Sequence, residues 1–147
     1  MGLKDHSRHL LSLAETLFRW AGALAGLDTE RREKVAGYAI SVAETLARAA
    51  DALAKLDINP ADVQARNQAL RDFGRIAGYI ETIVSVLKHH LDGRKLAGVK
   101  RRLEQLERGA EVETATALTS ATAMKVQAGH LITAEGYFRA LADSLRA

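Results

Sequence analysis

Cysteine is absent from this sequence, and proline occurs once, at Pro60. Without cysteine there can be no disulfide, no thiolate nucleophile and no cysteine-ligated zinc. With one proline the chain is almost free of the strongest helix breaker. Aromatic residues make up only 5%, so the 48% that is hydrophobic is carried mainly by alanine and leucine, a composition that favours helix over strand. No run of about 18 apolar residues occurs, which excludes a membrane-spanning helix. The beginning, MGLKDHSRHLL, has charges and histidines where a signal peptide needs an apolar run, so a soluble, cytoplasmic protein is expected.

Motifs that carry chemistry are missing too. There is no Gly-x-Ser-x-Gly elbow, no glycine-rich phosphate loop leading into Lys-Ser/Thr, and no His-Glu-x-x-His zinc helix. Glu-x-x-His, the i,i+3 pair that a carboxylate-bridged di-metal bundle needs, does not occur either. The expectation is a protein that is not an enzyme, with no catalytic residues, no metal ligands and no cofactor.

What is present is a helical unit used more than once. Residues 12–28, SLAETLFRWAGALAGLD, and 41–57, SVAETLARAADALAKLD, align without a gap and agree at twelve of seventeen positions. A second echo links Lys34-Val-Ala-Gly-Tyr38 to Arg75-Ile-Ala-Gly-Tyr79. A third links Ala134-Glu135 and Phe138-Arg139 to Ala14-Glu15 and Phe18-Arg19. The spacing is irregular, which disfavours a solenoid. At 147 residues the chain has the size of one domain. The fold class expected is all-α: an elongated antiparallel bundle of four to five helices over residues 1–147, with internal helix repeats.

Apolar spacing predicts the helices. The first covers Lys4 to Leu27, with Leu10, Ala14, Leu17, Ala21 and Leu24 in a four-three alternation, and stops near Gly26. Asp28 or Thr29 caps the second, Glu30 to Leu56, whose seam is Val35, Ala39, Val42, Leu46, Ala49, Leu53 and Leu56. Asp57-Ile58-Asn59-Pro60 is a break, with Asn59 as cap and Pro60 as first residue of a third helix reaching Leu91. Its first turns are polar and are expected to project from the core. A fourth amphipathic stretch carries Leu96, Val99, Leu103 and Leu106, and Gly109 ends or kinks it. The last helix runs from Glu111 to Leu145. Within it Thr114–Ala123 is small and uncharged, as expected of a segment covered by the bundle or by another subunit.

Glu15, Glu44 and Glu135 are each followed four residues later by Arg19, Arg48 and Arg139. That is the favourable order for an intrahelical ion pair, worth about 0.3–0.5 kcal/mol when exposed. His6 and His9 share a helix face, His89 and His90 diverge by about 100° on a helix, and His130 stands alone near an apolar stripe.

Charge is concentrated in one place. Residues 88–108 hold Lys88, Arg94, Lys95, Lys100, Arg101, Arg102 and Arg108 against Asp92, Glu104 and Glu107, a net +4 where the whole chain is +3. Arg31, Arg32 and Lys34 form a second cluster. If the two align, one face could follow a phosphate backbone. The cluster lacks aromatic side chains for stacking, so single-strand base reading is not expected.

Three readings follow. The first is an assembly or adaptor protein whose helix faces bind further copies or dock into a larger complex. The second is a subunit of a nucleoprotein complex touching nucleic-acid backbone through Lys88, Arg94, Lys95, Lys100, Arg101, Arg102, Arg31 and Arg32. In size, helicity and basic charge the chain resembles the small helical subunits of CRISPR effector complexes, a likeness of class that no motif carries. The third is a metal- or small-ligand-binding bundle.

Overall fold

The computed structural model of the chain describes residues 3–88, 97–98, 101 and 121–147. Among these residues there are helices and no strand. The elements are α1 (Leu3–Arg19), α2 (Ala21–Leu24), α3 (Thr29–Ile58), α4 (Val63–Leu87) and α5 (Ala121–Arg146), and residues 97, 98 and 101 are also helical. The chain is an all-α bundle.

The helix starts are local chemistry. Asp28 caps α3 as expected, its Oδ1 accepting the Arg31 N–H at 2.8 Å. The start of α4 differs from the expectation. Asp62, not Asn59, is the cap, accepting from the Ala65 N–H at 3.0 Å, and the helix begins at Val63. Asn59 takes the Ala61 N–H on its side chain at 3.1 Å and the Asp62 N–H on its carbonyl at 3.0 Å. Pro60 therefore sits inside a turn, a place its fixed φ suits equally well.

The first helix is also not continuous to Leu27. Trp20 leaves helical geometry at φ −87°, ψ 1°, and its N–H reaches back only three residues, to Leu17 at 3.2 Å. Beyond it, Ala21–Leu24 makes one short turn of helix, and two glycines flank Ala23-Leu24-Ala25. Glycine in a helix costs about 1 kcal/mol against alanine, so this stretch has little of its own to keep the helix running.

Ion pairs and ring contacts set the directions. Lys125 Nζ lies 3.9 Å from Asp57 and Arg146 lies 2.7 Å from Glu33, so α5 runs antiparallel to α3. Tyr38 meets Tyr79 with ring centroids 6.0 Å apart, and Arg48 faces Asp72, so α4 is antiparallel to α3 as well. The Ser7 hydroxyl hydrogen-bonds His130 Nδ1 at 2.8 Å and Phe18 meets Tyr137 at 5.6 Å, so α1 runs the same way as α5. The principal packing partners are α4 on α3, α3 on α5, and α5 on α1.

This order explains the burial. α3, about 45 Å long at 1.5 Å per residue, lies between α4 and α5 and is buried on a wide arc that includes Val35, Ala39, Val42, Leu46, Ala49, Leu53 and Leu56. α5 buries Met124, Leu131, Ala134, Phe138, Leu141 and Leu145. Each fully buried leucine or phenylalanine contributes about 1.5–3 kcal/mol over its exposed state. α4 does not begin by projecting from the core: Ala65, Ala69 and Asp72 are buried in its first three turns. The expectations for residues 89–96 and 102–120, including Gly109, lie outside the described residues. So does the Thr114–Ala123 stretch as far as residue 120.

Candidate functional site

Arg31 and Lys34 lie in the first turns of α3, and Lys88 lies at the end of α4. Because the two helices are antiparallel, these ends meet. Arg31, Lys34 and Lys88 line one cleft of about 460 Å³ together with Asp28, Glu30, Ser85 and Val86. Three basic side chains, Arg31, Lys34 and Lys88, therefore share one cleft. Arg31 is held by Asp28 at 3.8 Å on the same side of the cleft. Arg32 does not line it; its Nη2 donates to Thr29 Oγ1 at 3.4 Å. Arg101 is helical and exposed. Arg94, Lys95, Lys100, Arg102 and Arg108 lie outside the described residues.

A second cleft, of about 340 Å³, lies at the other end of the α3–α4 pair, lined by Arg48, Asp51, Lys55, Asp62, Gln64 and Gln68 among others. Beside it is a group that sequence reasoning missed. Asp72 is fully buried. The Gln68 amide donates to both its carboxylate oxygens at 3.0 Å, and Arg48 Nε stands 3.9 Å away. A buried carboxylate needs partners of this kind, because an unpaired charge in the interior is strongly destabilising. The available signal was small: Gln68 and Asp72 are one helical turn apart, and Asp72 immediately precedes the buried Phe73.

Arg48 is a correction to the expected series of intrahelical pairs. Glu15 pairs with Arg19 at 3.6 Å and Glu135 with Arg139 at 2.8 Å, as their spacing predicts. Arg48 turns away from Glu44, donates to Thr45 Oγ1 at 3.1 Å and faces Asp72. A buried carboxylate on the neighbouring helix outweighs an exposed one on its own helix.

His130 is half-buried and bonded to Ser7, a tie between α5 and α1. Gln127, one turn earlier, is fully buried, and among the described residues neither atom of its amide has a hydrogen-bond partner. Among the described residues no group of three or more His, Asp or Glu is placed to hold a metal ion. Nor, among them, is any helix long and apolar enough to cross a membrane.

The outer surface differs sharply between helices. On α3 the exposed positions from Glu44 to Lys55 are Glu44, Arg48, Asp51, Ala54 and Lys55. On α5 the exposed positions from Val126 to Gly136 are Val126, Gly129, Ile132, Thr133 and Gly136, none of them charged. Ile132 is 59% exposed. The Thr133 hydroxyl is already bonded to the Gly129 carbonyl at 3.0 Å, so this face offers chiefly methyl groups and bare backbone. Ile58 and Val63, 87% and 63% exposed, form a second apolar point at the α3–α4 corner.

Comparison with known proteins finds no matching family model, no matching curated protein and no matching solved structure.

Proposed function

We propose that this protein is a non-enzymatic assembly protein whose outer helix faces join it to other chains. The observation that carries this reading is the uncharged exposed face of α5, with Ile132 at its centre. Isolated exposed apolar side chains are ordinary on soluble proteins, whereas a contiguous apolar face marks an interaction site. The test is native sizing of the tagged full-length chain in an extract of cells that make it. The expected result is elution well above the 15.9 kDa of one chain. Elution as a free single chain contradicts the reading.

A second reading, contact with nucleic-acid backbone, is favoured by one observation: Arg31, Lys34 and Lys88 share a cleft across the α3–α4 end. Such contact is independent of sequence and weakens steeply with salt. Titrating labelled duplex and single-stranded nucleic acid at several salt concentrations tests it. The reading expects binding that a combined Lys34→Ala and Lys88→Ala variant weakens equally for every sequence. No binding at low salt removes it.

A further inference from the structure

The exposed face of α5 has a register, and the register identifies its partner. Lys125, Gly129, Ile132, Gly136, Arg139 and Asp143 are all exposed, and they follow one another at steps of four, three, four, three and four. That is the spacing of a two-helix seam, on the side of α5 turned away from its buried line of Met124, Leu131, Phe138 and Leu145. The seam is self-complementary. Laid against its own copy in the opposite direction, with the two-fold axis at residue 134, Lys125 faces Asp143 and Ile132 faces Gly136, each pair occurring twice. The opposite charges meet at both ends, and the one large apolar side chain meets the glycine that leaves room for it. Among the described residues a Cβ added at Gly129 or Gly136 would meet nothing within 4 Å, so both positions face open space.

We propose that α5 pairs with α5 of a second copy of this chain, antiparallel, through this seam. The inference rests on the assembly reading and gives it a partner and a geometry. Closed two-fold contacts are the commonest form of self-association, and they require one patch to complement itself. Lys125 is only loosely held within its own chain. Its side chain is 79% exposed, and its intrachain partner Asp57 is 3.9 Å away. Arg139, held by Glu135 at 2.8 Å, comes opposite Gly129, which like Gly136 has no side chain to oppose it. A seam of this length is at the small end of protein interfaces, so the dimer is weak, in the micromolar range.

The experiment is sedimentation of the purified full-length chain across micromolar to near-millimolar concentration. The wild type is expected to pass from monomer to dimer. Ile132→Glu, at an exposed position that leaves the helical circular dichroism intact, is expected to weaken the dimer at least tenfold. Lys125→Asp alone and Asp143→Lys alone each set like charges opposite one another twice, with an expected loss of about tenfold. The double variant Lys125→Asp with Asp143→Lys restores opposite charges across the seam and is expected to recover the wild-type affinity. Residues 125 and 143 are about 27 Å apart along one helix, so an effect within one chain cannot produce that rescue. A wild type that stays monomeric throughout, or a double variant weaker than both singles, overturns the proposal. Large assemblies in cell extract together with a monomeric purified chain would leave the assembly reading standing and remove the α5 pair.

Discussion

The two copies of the repeat, 12–28 and 41–57, share most of their residues and fold differently. Their common features are reproduced closely. Thr16 donates to the Ser12 carbonyl at 2.8 Å and Thr45 to the Ser41 carbonyl at 2.7 Å. Ala14, Leu17, Leu24 and Leu27 are buried, and so are Ala43, Leu46, Leu53 and Leu56. Yet the second copy is uninterrupted within α3, while the first breaks at Trp20. The residue aligned with Trp20 is Ala49, fully buried in α3. Gly22 and Gly26 stand where the second copy has Asp51 and Lys55. The apolar spacing sets which face is buried. The few differing residues and the neighbouring helices decide whether the helix continues and where its polar groups go.

The difference predicts unequal responses to equal changes. Leu46 and Leu17 are equivalent and both fully buried, but among the described residues α3 is packed by α4 and α5, whereas α1 packs mainly on α5. A site enclosed on more sides relaxes less after truncation. Leu46→Ala should cost about 4 kcal/mol and Leu17→Ala about 3 kcal/mol by urea unfolding. Equal losses would mean that the two copies are enclosed alike.

Exchanging the residue at the break sharpens the comparison. Ala49→Trp forces an indole into a filled position and should destabilise by about 3 kcal/mol. Trp20→Ala removes a half-buried ring but restores the better helix former, and should cost about 1 kcal/mol or less. Urea unfolding followed by circular dichroism measures both, and a severe loss from Trp20→Ala would assign the ring a larger share in holding α1 on α5.

The arginines of the two copies give the next effect. Gln68→Leu removes both 3.0 Å contacts to Asp72 and should cost about 2 kcal/mol, the scale of a hydrogen bond to a buried charge. Arg19→Ala, which removes only the exposed pair with Glu15, should fall within about 0.5 kcal/mol of wild type.

The smallest effect belongs to the joint between the copies and the end of the chain. The hydrogen bond from Arg146 holds the Glu33 carboxyl below its ordinary value, with the Arg146 charge acting in the same direction and partial desolvation opposing it. A depressed carboxyl adds stability above the usual carboxylate range and loses it as pH falls through its folded value. Both groups are exposed, so Glu33→Gln should lower the melting temperature slightly at neutral pH and not at all in acid. A difference that persists in acid would point to packing instead of charge.

Much of this architecture was legible in the sequence. The seam of α3 from Val35 to Leu56, the Asp28 cap and the break after Asp57 are written in local apolar spacing and turn chemistry. What was not legible depended on neighbours. Nothing near Arg48 in sequence tells it to ignore Glu44, because the carboxylate it faces is Asp72 on the next helix. The burial of Asp72 is hidden in a polar stretch, and the shared direction of α1 and α5 is a matter of distant pairing. Of the candidate basic site, the meeting of Arg31, Lys34 and Lys88 followed once α3 and α4 were antiparallel. The proposed α5 seam is not legible in the sequence, because Ile132, Gly129 and Gly136 follow a helical spacing that only exposure distinguishes from a core face.

The most direct test of the account is a distance between two copies of α5. The chain has no cysteine, so Thr133→Cys carries a single spin label one residue from the proposed axis, and Val63→Cys carries one at the far corner. In the associated state the account predicts labels at 133 separated by about 15–25 Å, given helix axes 8–10 Å apart plus the label arms. Labels at 63 should be roughly 40 Å or more apart, because an antiparallel pair sends those corners to opposite ends. A dimer with distant labels at 133 and close labels at 63 would contradict the account and move the contact to the α3–α4 corner.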